Sequence, residues 1–216
     1  MRVIKLGIRR KGLYAVRLDE PAEAEGIARD ERGDLLIDRA AADEFGLGEG
    51  DQITQSELDE LAALACYKRA HSRALYLLSC RDYSRRALYD KLARDFGESA
   101  AQQVAERMCE LGFVDDERYA ARLAENMTGQ GISPRSAIYK LTAKGIPRHV
   151  AEAAVESLEV DAGEQLDALI ERKYAYKLQG ADEKAVARVV NALARRGYSF
   201  GDIRSAIARF NYNCEF

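Results

Sequence analysis

The chain contains few of the residues that build metal sites and disulfide frameworks. Its 216 residues include only two histidines and four cysteines, and no two cysteines form a C-x-x-C pair. A structural zinc site needs about four nitrogen or sulfur ligands at characteristic spacing, so the sequence predicts no metal site. Cys66, Cys80, Cys109 and Cys214 are far apart in the chain. We expect reduced, mostly buried thiols of the kind that cytosolic proteins contain.

Motifs of hydrolytic enzymes are also missing. A phosphate-binding loop needs a lysine after its last glycine, and segment 46–51 has an acidic residue in that place. Neither a G-x-S-x-G nor an H-E-x-x-H motif occurs. The acidic pair at residues 115 and 116 is interpreted as a helix start, because carboxylates stabilise the positive end of the helix dipole. We therefore expect no catalytic activity, no cofactor and no small-molecule substrate.

Long apolar runs are absent as well. A membrane-spanning helix needs roughly 20 consecutive apolar residues, and no stretch of the sequence approaches that length. The first ten residues alternate apolar and polar side chains like a β-strand, and they lack the apolar core of a secretory signal. The sequence therefore predicts a cytoplasmic protein without membrane contact.

The overall charge is nearly balanced. The chain has 33 basic and 36 acidic residues, which gives a net charge of −3, and 47% of its residues are hydrophobic. These values are typical of a globular protein with a buried core. They argue against a protein whose whole surface binds nucleic acid, since such proteins are usually strongly basic.

Residues 1–55 have the pattern of a small β-rich unit. The expected strands cover residues 3–8, 13–18 and 35–37. Lys11 and Gly12 are expected to form the turn between the first two strands, and Asp38 to cap a short helix that ends at Phe45. A unit of this size is hardly stable alone, so we expect it to pack against the segment that follows.

From Ser56 onward the apolar spacing is helical, and capping residues predict where the helices begin. Ser133 is expected to cap a helix whose first residue is Pro134. Asp115 and Asp161 are expected to cap two further helices, and residues 99–102 have the sequence of a capping box. Tyrosines that fall on the apolar stripes of these helices are expected in the core: Tyr89, Tyr119, Tyr139 and Tyr174.

Three glycines predict where helices end. Gly112, Gly145 and Gly197 stand where a left-handed residue terminates a helix, and each is followed by an apolar side chain that can fold back onto the last turn. The residues that follow them are Phe113, Ile146 and Tyr198.

The helical part repeats itself. Segments 83–92 and 132–141 can be superimposed, segment 185–193 keeps the apolar positions, and the terminal leucines at 92, 141 and 193 are 49 and 52 residues apart. A third amphipathic helix follows in each copy. The predicted fold is mainly α, with three tandem three-helix repeats in an elongated curved array after the β-rich unit. The predicted boundaries are residues 1–55, 56–114, 115–160 and 161–216.

Charge is sorted by position within this repeat. The middle helices, taken as residues 84–96, 133–144 and 183–196, hold eleven basic and three acidic residues, whereas the remainder of residues 57–216 has a net charge of −8. This sorting indicates a basic strip that binds an acidic partner. The alternative is that these are solvated helix faces whose cations pair with acids four residues away.

Four segments resemble the regulatory proteins of the RecX family in order and spacing. They are residues 73–92, 111–120, 141–146 and 193–199. The resemblance covers residues 65–210, and segment 45–54 is similar to the amino-terminal extension of many members. The third repeat departs from the family pattern, since it has no serine at the start of its middle helix.

The resemblance implies a modulator, usually an inhibitor, of the RecA recombinase. Members are thought to lie in the groove of the RecA filament on single-stranded DNA and to lower ATP hydrolysis, strand exchange and co-protease activity. Because this chain is acidic, direct contact with single-stranded DNA is expected to be weak or to depend on the filament. The candidate residues for contact with RecA or DNA are Arg81, Arg85, Arg86, Lys91, Arg94, Arg135, Lys140, Lys144, Lys184, Arg188, Arg195 and Arg196.

Two other functions remain open from the sequence. An autonomous DNA-binding protein with units like helix-turn-helix modules would bind bare duplex with a steep salt dependence. An inert helical-repeat scaffold would leave RecA unaffected.

Overall fold

The chain forms a small antiparallel sheet followed by a series of helices. The computed structural model describes residues 1–9, 12–24, 27–179 and 182–214, with side chains as far as residue 211 in the last helix. The strands are β1 Val3–Arg9, β2 Leu13–Leu18, β3 Ala28–Arg29 and β4 Leu35–Asp38. The helices are α1 Arg39–Phe45, α2 Gln55–Cys80, α3 Arg85–Phe96, α4 Glu98–Glu110, α5 Asp116–Gly129, α6 Pro134–Ala143, α7 Arg148–Glu156, α8 Ala162–Leu178, α9 Glu183–Ala194 and α10 Phe200–Cys214. The predicted fold class, mainly α with a β-rich start, is confirmed.

The sheet has the strand order β1-β2-β4-β3, with antiparallel neighbours. The three predicted strands are present, and β3 is an addition. Its two residues are exposed and too few to show an alternating pattern, which is why the sequence did not predict it. The turn residue Gly12 has a φ of 70°, whereas Lys11 and the side chain of Cys214 lie outside the described part.

The chain divides into two compact units, Met1–Val114 and Asp115–Phe216. In the first unit, one buried cluster joins the sheet to α1 and the start of α2, and another joins the rest of α2 to α3 and α4. In the second unit, one cluster lies among α5, α6 and α7 and the other among α8, α9 and α10. The four predicted segment boundaries and the curvature of the array stay predictions.

Most predicted helix starts are confirmed by hydrogen bonds to the capping side chains. The carboxylates of Asp38, Asp115 and Asp161 each accept a backbone N–H from the first turn of the following helix. The capping box at residues 99–102 is wrong. Gly97 is the only residue between α3 and α4 and serves as the N-cap of α4 without a side-chain bond, so Ser99 lies inside the helix.

A capping box is present instead at the start of α2. The backbone N–H of Glu57 donates to the Thr54 hydroxyl over 3.2 Å, and the backbone N–H of Thr54 donates to the Glu57 carboxylate over 2.8 Å. Because this hydrogen bond from the Thr54 N–H favours the ionised carboxylate, the pKa of Glu57 is lowered.

The three predicted helix ends at glycines are also confirmed. Gly112, Gly145 and Gly197 have φ values of 72°, 85° and 91°, a region that side chains with a Cβ rarely adopt. In each case the next N–H bonds back to a carbonyl five residues earlier in the chain. Ile146 and Tyr198 are buried as expected, whereas Phe113 is 53% exposed.

Candidate binding surface on the middle helices

The three middle helices α3, α6 and α9 begin in the same way. Each N-cap side chain accepts the backbone N–H three residues further on, at 3.1 Å for Ser84, 3.3 Å for Ser133 and 2.8 Å for Asp182. The caps are 49 residues apart in both intervals. The third repeat therefore keeps the cap although it lacks the serine, because an aspartate carboxylate accepts the same bond.

A cation stands two residues after each of these caps. Arg86, Arg135 and Lys184 are all exposed. The first turns of α3 and α6 contain no acidic residue, whereas those of α4, α5 and α8 do. A cation in a first turn is opposed by the helix dipole at a cost of about 0.3–1 kcal/mol. Arg86 forms an ion pair with Asp90 one turn further on, whereas the described residues include no acidic partner for Arg135 or Lys184.

The basic residues of α9 form a row on its solvent face. Lys184, Arg188 and Arg195 follow helical spacing on the side opposite the buried Val189 and Leu193, and all three are exposed. Within the described part of the chain, none of the three has an acidic partner. This row, named here the α9 basic row, is open to a ligand.

Arg196 lies just beyond the end of α9 and differs from the basic residues of that row. It is half-buried, and its guanidinium donates to the Tyr174 hydroxyl over 2.9 Å and to the Ala192 carbonyl over 3.4 Å. These contacts place its charge inside the third repeat, apart from the α9 basic row.

In α3, ion pairs engage two of the candidate residues. Arg85 contacts Glu106 at 3.1 Å, and Arg86 contacts Asp90 at 2.9 Å one helical turn away. For Arg86 the expected alternative of pairing along the helix therefore holds. The other candidates of this region are Lys91, which is half-buried, Arg94, which is exposed, and Arg81, which stacks over the Tyr83 ring at 4.5 Å.

The start of α6 touches the end of α9 within the second unit. The Ser133 N–H donates to the Arg196 carbonyl over 3.0 Å, and the Ser133 hydroxyl donates to the Gly197 carbonyl over 2.8 Å. Arg135 at the start of α6 is thus near the end of α9 that carries Arg195. The remaining candidates on α6 are Lys140, which is half-buried, and Lys144, which is exposed.

An open cleft of about 590 Å³ lies at this contact. Its walls come from the starts of α6, α8 and α10, and they include Arg135, Ser136, Tyr139, Tyr198 and Ser199. The Tyr139 side chain is 73% exposed, so its predicted place in the core is wrong. The buried positions of α6 are Ala137 and Leu141, and residue 139 lies between them on the opposite side of the helix.

Tyr198 forms the buried wall of the cleft. Its hydroxyl donates to the Gln165 side-chain oxygen over 2.8 Å. Burial raises the pKa of Tyr198 to about 12, although the nearby Arg196 charge acts in the opposite direction.

Metal ligands do not cluster in the part of the chain described above, where no group of three or more His, Cys, Asp or Glu side chains is suited to hold an ion. Among the described residues, no helix has both the length and the apolar character needed to cross a membrane.

Family comparisons agree with this arrangement of three-helix units. Residues 70–108 match the model of the first three-helix domain of RecX, and residues 159–207 match the model of its third. Regulatory protein RecX of Trichlorobacter lovleyi is 36% identical over 137 residues, which span 61% of this chain and 88% of the relative. The chain belongs to the RecX family. Regulatory protein RecX of Xanthomonas axonopodis pv. citri is 35% identical over 136 residues, 62% of this chain and 83% of the relative.

A solved RecX structure supports the same fold. The crystal structure of a regulatory protein RecX aligns with a TM-score of 0.63 and 21% identity, and the alignment covers 94% of this chain and 97% of the other. RecX relatives are named regulatory proteins, in agreement with the absence of enzyme motifs from the sequence.

Proposed function

We propose that this RecX-family chain binds in the groove of the RecA filament on single-stranded DNA and inhibits the ATPase, recombinase and co-protease activities of RecA, and so regulates DNA repair. The observation that carries the proposal is the α9 basic row, three exposed cations without acidic partners in the described residues. The acidic groups of a filament, either RecA carboxylates or DNA phosphates, are the complementary partners.

The α9 basic row acts mainly on the rate at which the chain encounters the filament and on the orientation in which it binds. Charges at the rim of an interface steer association and set the register more than they add to affinity. Because the chain as a whole carries a charge of −3, a local positive face also orients the molecule as it approaches an anionic groove.

Repetition adds selectivity for assembled RecA. Middle helices that present cations in several repeats contact several protomers at once only where those protomers are held at filament spacing. Linked contacts of this kind raise the overall affinity without any new type of contact. Free RecA monomers therefore compete poorly with the filament.

The proposal is tested by measuring RecA ATPase on single-stranded DNA at substoichiometric amounts of the protein, beside a gel shift on the DNA alone. We expect inhibition of the ATPase with no shift, or only a weak one, at the same concentrations. A strong shift of bare duplex without effect on RecA would favour the autonomous DNA-binding protein, and no effect in either assay would favour the inert scaffold.

Charge reversal of the α9 basic row tests whether this row is responsible for the inhibition of RecA. The variant K184E/R188E/R195E is expected to lose most of the inhibition. Its control is R172E/K173E/R204E, which changes the same charge at exposed cations on α8 and α10 of the same unit and is expected to inhibit like the wild type. Equal loss in both variants would show a net-charge effect and contradict the role of the row.

A further inference from the structure

The cleft between the starts of α6, α8 and α10 has a size that suits a small planar ligand. Its volume of about 590 Å³ falls in the usual range of ligand sites, about 300–1,000 Å³. Three helices begin at its walls, and in each of them a first-turn N–H group already donates to a capping side chain, so the positive charge in the lining is that of Arg135. The Ser136 hydroxyl lines the same walls, whereas the Ser199 hydroxyl donates to Asp202.

Two side chains of α6 face this cleft from the same side of the helix. Arg135 and Tyr139 are four residues apart, both are exposed, and both line the cleft. The described residues include no ion-pair partner for Arg135. An aromatic ring that is 73% exposed next to an unpaired guanidinium is the combination that stacks a base and contacts its phosphate.

We infer that this cleft binds one nucleotide of single-stranded DNA, with the base stacked on the Tyr139 ring and the phosphate held by Arg135. The inference rests on the proposed function for the choice of DNA as ligand. Duplex DNA does not fit the site, because both faces of a paired base are already covered by its neighbours in the stack.

One carboxylate lies in the cleft. The Asp202 carboxylate accepts a hydrogen bond of 2.6 Å from the Ser199 hydroxyl, and the Asp202 backbone N–H donates to the oxygen of that hydroxyl over 3.1 Å. The Asp202 carboxylate belongs to the α10 wall of the cleft, whereas the cation and the ring both belong to α6.

The test measures binding of the full-length protein to a labelled thymidine oligonucleotide by fluorescence anisotropy at low salt, beside an abasic oligonucleotide of the same length. Loss of a base–aromatic stack lowers affinity by at least about fivefold. We therefore expect Y139A to weaken binding of the thymidine strand by that factor and to leave binding of the abasic strand unchanged. Y139F keeps the ring and is expected to bind both strands like the wild type.

Two further variants separate stacking from charge and from general surface effects. R135A is expected to weaken binding of both strands and to lower the salt dependence by about 0.7 in the slope of log K against log salt, as for one lost phosphate contact. Y176A removes a tyrosine that is 91% exposed on α8 and does not line the cleft, and it is expected to bind like the wild type. Circular dichroism checks that each variant is folded. We expect the Tyr139 variants to fold, because this side chain is exposed.

Different outcomes would contradict the nucleotide site and the proposed function. No binding by the wild type at low salt, equal losses for Y139A and Y176A, or an equal loss on the abasic strand would each overturn the inference. If Y139A bound DNA normally but no longer inhibited RecA, the cleft would receive a protein segment, and the inference would fail while the proposed function stood. If Y139A behaved as expected while K184E/R188E/R195E inhibited RecA normally, the role of the α9 basic row would fail and the nucleotide site would stand.

Discussion

The hydroxyl group of Ser133 donates a hydrogen bond of 2.8 Å to the carbonyl oxygen of Gly197, 64 residues away. One side chain therefore caps α6 and holds the end of α9 against it. The close approach depends on glycine, because a Cβ at position 197 would lie 2.3 Å from the Cβ of Ser136 and 2.7 Å from the Ser133 oxygen.

Replacing Gly197 by alanine is expected to open this contact. The substitution combines a φ of 91° with a steric clash, and together these cost about 2–4 kcal/mol. The free energy of unfolding is measured by urea titration. Gly112→Ala is the matched control, since its φ of 72° is similar but its Cβ would meet open space, and we expect it to cost only about 1 kcal/mol. Equal losses would contradict the steric role of the contact.

Ser133→Ala is expected to cost more than the equivalent change in the third repeat. It removes a helix cap and the bond to Gly197 at a buried position, a loss of about 1–3 kcal/mol. Asp182→Ala removes an exposed cap alone, a loss of about 1 kcal/mol. Hydrogen exchange of the α6 and α9 amides measures both. The prediction fails if Ser133→Ala leaves the α9 amides protected as in the wild type.

Charge reversal at the second helical residue is expected to separate stability from function. In Arg135→Glu and Lys184→Glu, an acid replaces a cation in a first turn, so each variant gains about 0.3–1 kcal/mol from the helix dipole. Inhibition of RecA ATPase is expected to weaken in the same variants. Arg135→Gln and Lys184→Gln serve as neutral controls with intermediate values. A loss of stability on reversal would mean that these cations support the fold.

The buried Tyr198 is expected to make stability fall in alkali. Its pKa of about 12 in the folded chain lies above the ordinary tyrosine value of 10.0. A raised pKa means that the folded state retains the proton, so the contribution to stability is complete below about pH 10 and is lost as the pH rises towards about 12. Tyr198→Phe keeps the ring but has no ionisable group. We expect its unfolding free energy to decline less than that of the wild type over this interval, as followed by urea titrations at several pH values. An identical decline would show that other groups control it.

Much of the fold could be predicted because its signals are local. The strand alternation of residues 13–18, the caps at Ser133 and Asp115 and the left-handed glycines depend on hydrogen bonds between residues close in the chain, and the structure has them in place. The capping box predicted at residues 99–102 is wrong because α3 extends to Phe96. Only Gly97 then separates it from α4, and Ser99 lies inside that helix. Resemblance to the RecX family was confirmed by relatives 35–36% identical to the chain.

The candidate binding surface was predictable as a set of residues but not as individual contacts. Sequence periodicity places cations on the middle helices, yet it does not show that Arg86 pairs with Asp90 while Arg188 has no acidic partner in the described chain. Tyr139 was expected in the core because its neighbours are apolar, but the two buried residues of α6 are on the other side of the helix.

The sequence alone determined the repeat, most of the helix starts, the three helix ends at glycines and the sorting of basic residues into the middle helices, because each of these can be recognised from residue types and their spacing along the chain. Only the tertiary structure decided that the start of α6 meets the end of α9, that Arg196 is drawn to Tyr174, and that a cleft opens beside Tyr139. These features depend on contacts between residues far apart in the chain, and such contacts leave no periodic trace in the sequence.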